Sequence, residues 1–162
     1  MRYVGVTLLL RADSSFELRL HPRVPRIGPP RDSQAGGGRG KKLAGGALHD
    51  TPYGFSSRFE NGAGTNPEEL IAAAHAGCFT MATSAALGRA GITPEKLTTD
   101  ATVTLEQVEG NWTITTVHLK MTARVPGISK EKFAEIAADA KANCPVSRVL
   151  KANITLDAEL AG

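Results

Sequence analysis

Two cysteines, Cys78 and Cys144, are the residues of this chain with the most chemistry to offer. A thiolate is a nucleophile, whereas a buried thiol is inert filler, so what matters is the environment of each sulfur. Cys78 lies in an apolar stretch with helical spacing. Desolvation there disfavours the thiolate, and the residue becomes a reagent only if a cation is brought to it. Cys144 precedes Pro145 at a helix start. Unpaired N–H groups and the helix dipole favour negative sulfur there, which lowers the expected pKa. The plainer alternative for Cys144 is an ordinary turn residue.

Three residues are candidates to complete a site around Cys78. His75 lies one helical turn earlier on the same face and could pair with the thiol, although a packed histidine would look the same. Arg58 is the better cation, because a guanidinium stays charged when buried and offers several donors; its plainer role is a surface pair with Glu60. Glu68 is free to act if Glu69 serves the helix cap, or it complements the helix dipole. One geometric difficulty stands. Ten residues of straight helix separate Glu68 from Cys78 by about 15 Å, so a single site containing both needs a break in the helix or two subunits.

The element that must position Cys78 runs Thr65-Asn66-Pro67-Glu68-Glu69-Leu70-Ile71-Ala72-Ala73-Ala74-His75-Ala76-Gly77-Cys78-Phe79-Thr80-Met81. Asn66 is a cap, Pro67 suits the first helical position, and Glu69 stands where it closes a capping box. Ile71, Ala74, Cys78, Met81 and Ala85 recur at intervals of three and four, which predicts the buried stripe of a helix ending near Gly88 or Gly91. Upstream, residues 3–10 and 16–20 predict a hairpin, residues 22–46 are irregular, and Phe55, Ser57 and Phe59 alternate as in a strand. Asn61-Gly62-Ala63-Gly64 turns into the central helix. Downstream, residues 100–108 and 112–124 form a strand pair around Glu109-Gly110-Asn111. Ser129 then caps a helix with Phe133, Ile136, Ala137 and Ala140 inward, a shorter helix runs through Leu150, and residues 154–160 form a last strand. This order predicts an α+β fold with antiparallel sheet rather than a βαβ repeat.

Composition narrows the classes. Two cysteines 66 positions apart make no disulfide framework for 162 residues. No CxxC or HExxH is present and the four histidines are scattered, which argues against a metal cluster. No run approaches the roughly 18 apolar residues of a membrane span, and Tyr3 to Leu10 reads as a strand rather than a signal-peptide core. Two free thiols suit a reduced compartment, the cytoplasm. The net charge of +3 comes from residues 1–44, which hold nine basic residues against three acidic, while the rest is mildly acidic. A body of that sign, poor in aromatics, carries no nucleic-acid footprint.

Four segments together resemble the OsmC/Ohr family, the osmotically inducible and organic hydroperoxide resistance proteins. They are Thr51-Pro52-Tyr53-Gly54-Phe55 with Arg58-Phe59-Glu60; Gly64-Thr65-Asn66-Pro67-Glu68-Glu69-Leu70; Ala73-Ala74-His75-Ala76-Gly77-Cys78-Phe79; and Cys144-Pro145-Val146-Ser147 with Leu150. The segment around Arg58 favours the OsmC branch. The resemblance spans about residues 46–160, which sets residues 46–162 apart as the OsmC-like peroxidase domain and 1–45 as an atypical N-terminal segment. Family members usually open with a Trp-bearing strand and a Gly-Lys-Gly-type turn, in whose place residues 29–38 stand here.

The resemblance implies an intertwined α+β homodimer with a long central helix and active sites at the subunit interface. It implies a thiol peroxidase that reduces organic hydroperoxides, and hydrogen peroxide less well, without metal, haem or flavin. Cys78 matches the peroxidatic cysteine, Cys144 the resolving one, and Arg58 and Glu68 the pair that orients the thiolate. A Cys78–Cys144 disulfide would then be reduced by an external dithiol, dihydrolipoamide or a lipoylated protein. Two other readings compete: a dimeric carrier or sensor of apolar molecules with non-catalytic cysteines, and a cysteine hydrolase using Cys78 and His75.

Overall fold

The computed structural model of the chain describes residues 2–11, 16–20, 38–40, 51–53, 55–59 and 63–161. Most of the irregular stretch and nearly all of the segment expected to depart from the family, residues 29–37, lie outside these, as do Asn61 and Gly62. The elements in order are β1 (Arg2–Arg11), β2 (Phe16–Leu20), β3 (Gly38–Gly40), β4 (Thr51–Tyr53), α1 (Phe55–Phe59), α2 (Pro67–Arg89), β5 (Lys96–Val108), β6 (Asn111–Arg124), α3 (Lys130–Asn143), α4 (Pro145–Val149) and β7 (Asn153–Leu160).

Five strands form one sheet in the order β2-β1-β5-β6-β7, and β3 pairs with β4. Along β5 and β6, Leu97, Thr99, Ala101, Val103, Val117, Leu119, Met121 and Ala123 are buried while their neighbours are more open. This period-two pattern puts one face of the sheet against helices. The β5–β6 hairpin closes over Glu109 and Gly110, both at positive φ, as a two-residue turn that matches strand twist requires. The α2 and α3 helices pack on the sheet's apolar face, with Phe133, Ile136, Ala137 and Ala140 of α3 facing inward as expected.

Three expectations need correction. The sheet is mixed, because β7 runs parallel to β6. A parallel neighbour needs a long crossover, and α3 and α4 supply it. Residues 55–59 are a helical turn rather than a strand. Five alternating residues carry too little pattern to decide, and here tertiary bonds decide: Ser57 Oγ donates to the Thr65 carbonyl (2.6 Å) and Asn66 Nδ2 to the Ser57 carbonyl (3.0 Å).

The third correction concerns α2. Its buried face is Ala72, His75, Ala76, Phe79, Thr80, Thr83 and Leu87, whereas Ala74, Met81 and Ala85 are exposed and Ile71 and Cys78 half-buried. Small apolar residues surround this helix, so two stripes at helical spacing compete. The sheet took the one with the bulkier Phe79 and Leu87, whose full burial stabilises by roughly 1.5–3 kcal/mol each. The helix is left with a second apolar face that the described residues do not cover, and its mean hydropathy reaches 1.4 over 18 residues.

Candidate active site

The start of α2 is fixed by its cap. Asn66 Oδ1 accepts from the Glu69 N–H (2.9 Å), Pro67 follows, and the Glu69 carboxylate accepts from Thr65 Oγ1 (3.0 Å). Gly64, at φ +100°, lets the chain pass Pro52; a Cβ there would stand 1.9 Å from the Pro52 carbonyl oxygen. These contacts lash β4 and α1 to the helix start, and they aim Arg58 at Glu68. Arg58 Nε donates to both carboxylate oxygens of Glu68 (3.0 and 3.2 Å), and Nη2 donates to Oε1 at 2.6 Å. Glu68 is 2% exposed and Arg58 34% exposed. Arg58 therefore pairs with the buried Glu68, which fixes the plane of the guanidinium. Phe59 and Trp112 stack obliquely beside it with centroids 5.0 Å apart, and the Arg58 guanidinium carbon lies 5.3 Å from the Phe59 centroid.

The two cysteines form the other half. Cys144 is the residue between α3 and α4, fully buried, and both thiols are free. Its Sγ donates to Cys78 Sγ at 3.0 Å. Burial pushes the Cys78 thiol above its ordinary pKa, the adjacent Cys144 adds to the rise, and the Val146 backbone N–H at the start of α4 opposes it. So placed, the sulfurs need only a small approach to bond.

His75 is fully buried on α2, with Nε2 2.8 Å from Ser147 Oγ on α4 and no hydrogen-bond partner for Nδ1 among the described residues. Burial lowers its pKa to about 4, so the ring is neutral at ordinary pH. Its Nε2 pairs with Ser147 Oγ, a contact that the hydrolase reading does not use. Sequence reasoning missed this bond. The available signal was spacing, since His75 lies three residues before Cys78 and Ser147 three after Cys144. Sequence reasoning also missed the Phe59–Trp112 pair, for which no local signal exists across 53 residues. Phe79, adjacent to Cys78 in sequence, faces the core and is absent from the sulfur's side of the helix.

The structure thus brings together Cys78 with Cys144, and Arg58 with Glu68, but not one pair with the other in a single chain. The α2 helix is unbroken from Pro67 to Arg89, so Glu68 stays about 15 Å along its axis from Cys78. Among the described residues no three His, Cys, Asp or Glu side chains are grouped to hold a metal ion.

Comparison with known proteins gives a consistent picture. The family model described as OsmC-like protein matches residues 60–159. The chain is 55% identical over 115 residues to peroxiredoxin OsmC of Escherichia coli strain K12, covering 71% of this chain and 80% of the relative. It is 32% identical over 101 residues to an organic hydroperoxide resistance protein of Xanthomonas axonopodis pv. citri, covering 62% and 69%. Among solved structures, an OsmC-like protein of unknown function from Vibrio cholerae superposes with TM-score 0.61 at 17% identity, over 78% of this chain and 99% of that one. The organic hydroperoxide resistance protein OhrB of Bacillus subtilis superposes at 0.56 with 22% identity, over 80% and 98%.

Proposed function

The chain belongs to the OsmC family, and from that premise we propose that it is a cysteine-based peroxidase that reduces organic hydroperoxides to alcohols. The observation that carries the reading is the pair of free sulfurs, 3.0 Å apart on α2 and at the α3–α4 junction. The Cys78 thiolate attacks the distal peroxide oxygen, the O–O bond breaks, and the alkoxide leaves and takes up a proton. Cys78 is then a sulfenic acid. The Cys144 thiolate attacks its sulfur, a disulfide forms, and the hydroxide departs as water. An external dithiol, dihydrolipoamide or a lipoylated protein, returns both thiols. Residues 46–162 carry all of these groups, the chemistry uses thiols alone, and it suits the reducing cytoplasm.

Cys78 begins with a pKa raised by burial, so the reaction needs a cation near the sulfur. Arg58, held by Glu68, supplies it from a second copy of the chain in a homodimer. Two features support this arrangement. The unbroken α2 keeps Glu68 far from Cys78 of its own chain, and the exposed apolar face of α2, with Leu70 and Met81 41% and 53% exposed, calls for a cover. A two-fold pair of α2 helices would cover both faces at once.

Stopped-flow mixing with cumene hydroperoxide tests the function. Both thiols of each chain should disappear rapidly, and dihydrolipoamide should restore them with turnover. A chain that keeps its thiols would be a carrier or sensor of apolar molecules instead.

A further inference from the structure

Cys78 and His75 stand one turn apart on α2, and Cys144 and Ser147 stand one turn apart where α4 begins. The two helices are therefore joined by two rungs, the sulfur pair at 3.0 Å and the His75–Ser147 bond at 2.8 Å. The second rung has no place in the chemistry described above. Its cost is visible: a fully buried imidazole keeps Nδ1 without a hydrogen-bond partner among the described residues, where an aliphatic side chain would fill the space with nothing unsatisfied. What the ring gains in return is the bond to Ser147.

That bond holds something that needs holding. The α4 helix has five residues, too few to be stable alone, none of them is buried, and its N-cap Cys144 makes no side-chain capping bond. Val149 is 76% exposed. Among the described residues, α4 is tied to the rest by the buried Cys144 before it, part-buried Val146 and Leu150, the Val146 N–H to the Cys78 sulfur, and the Ser147 hydroxyl, its one side-chain hydrogen bond to α2. Burial keeps the ring neutral, and in either tautomer Nε2 and the Ser147 hydroxyl share one hydrogen.

We propose that His75 and Ser147 are a positioning pair for the second step: their bond keeps α4 on α2 so that the Cys144 sulfur stays in line to attack the Cys78 sulfenic acid. In that step the S–S bond forms, the S–O bond breaks, and the hydroxide leaves as water, with no other reactant. Without the rung, Cys144 spends more time out of reach. The sulfenic acid then lives longer and a second peroxide converts it to sulfinic acid. This inference rests on the peroxidase reading.

The test separates the two steps in a single turnover with cumene hydroperoxide, comparing wild type, Ser147→Ala, Ser147→Thr and His75→Leu. Loss of the first thiol should run within about threefold of wild type in all four, because it depends on Cys78 and its cation. Disulfide formation should slow about tenfold in Ser147→Ala and His75→Leu, the effect of one hydrogen bond lost where geometry sets the rate. Dimedone-trapped sulfenic acid and sulfinic acid should rise in step, and Ser147→Thr should restore wild-type behaviour. Unchanged disulfide formation in Ser147→Ala and His75→Leu overturns the proposal. Equal slowing of both steps overturns it too, since it would mark a general loss of packing. A wild type that consumes no peroxide overturns the peroxidase reading itself, a different failure.

Discussion

Arg58 forks onto Glu68 through Nε and Nη2, and Glu68 lies ten residues before Cys78 on one unbroken helix. The fork fixes the guanidinium at the start of α2, and Glu68 lies about 15 Å along the axis from the sulfur of its own chain. If the second copy supplies the guanidinium, two inactive variants should complement each other. Arg58→Met/Glu68→Gln, which removes both charges, keeps Cys78; Cys78→Ser keeps the charged pair. Refolding the two together in equal amounts should restore about a quarter of wild-type activity per subunit, since half of the dimers are mixed and each has one complete site. No recovery in a verified mixed dimer would place Arg58 and Cys78 of one chain in the same site.

Replacing Arg58 alone should do more than slow the enzyme. Arg58→Ala leaves a carboxylate that is 2% exposed without its partner. Stranding a buried charge costs about 3–5 kcal/mol, a figure that the partly exposed Arg58 side of the pair reduces through solvent screening. Denaturant unfolding should show a loss of about 2 kcal/mol in Arg58→Ala and a much smaller loss in Arg58→Met/Glu68→Gln. In both, the pH profile for iodoacetamide alkylation of Cys78 should move upward, because the sulfur keeps its burial and loses its cation. An unmoved profile would remove Arg58 from the site.

The cysteines should fail differently. Cys78→Ser should abolish turnover, whereas Cys144→Ser should still reduce one equivalent of peroxide per chain and then stop, holding a sulfenic acid that dithiol recycles poorly. The reasoning is positional: Cys78 is half-buried at the edge of the core, while Cys144 is fully buried at the start of α4. A reversed pattern in rapid-quench peroxide assays would exchange the two roles.

Much of this was legible in the sequence, and the losses have physical causes. Caps, turns and alternation act within a few residues, so Asn66, Ser129 and the Glu109–Gly110 hairpin could be read directly. The facing of α2 could not be read, because a helix lined with Ala, Gly, Thr and Met on all sides offers two stripes. Which stripe meets the sheet depends on where Phe79 and Leu87 fit. Nor could the short α1, whose geometry is imposed by Thr65 and Asn66 across a turn. At the site, residue types announced Cys78 and Cys144. The rungs and forks that orient them span 10 to 72 residues and appear only in three dimensions.

His75 should also leave a signature in acid. Its folded pKa is lowered to about 4 from 6.5 by burial, so the fold favours the neutral ring and the unfolded chain binds the proton more readily. The stability this confers is complete above pH 6.5, declines as pH falls from there, and is gone below about 4. The total is on the order of 3 kcal/mol. Urea unfolding of wild type and His75→Gln at a series of pH values should therefore show wild type losing more stability between pH 6.5 and 4.5. A constant difference between the two proteins across that range would mean that the ring titrates in the fold as it does in the unfolded chain.

Substrate preference should favour organic hydroperoxides over hydrogen peroxide. Cys78 and Ile71, half-buried at the edge of the core, border exposed Ala74 and Met81 on α2. Bringing Arg58 to that sulfur also brings the Phe59–Trp112 pair beside it. In the proposed homodimer the space around the reacting oxygen would be walled by aliphatic side chains from one copy and aromatic rings from the other. Burying an alkyl or aryl tail there contributes roughly 0.8 kcal/mol per methylene. Three or four such groups give about a hundredfold in kcat/KM, at tenfold per 1.4 kcal/mol. Hydrogen peroxide has no tail and gains none of it. Trp112→Ala should therefore reduce kcat/KM for cumene hydroperoxide several-fold and leave hydrogen peroxide nearly unaffected, because an aromatic wall touches only the tail. The comparison is hydrogen peroxide, tert-butyl hydroperoxide and cumene hydroperoxide under one reductant, with wild type and Trp112→Ala. Equal kcat/KM for all three in wild type would mean that the apolar face of α2 forms no part of a substrate pocket. Equal losses for all three in the variant would mean that Trp112 supports the fold around Arg58 rather than the substrate.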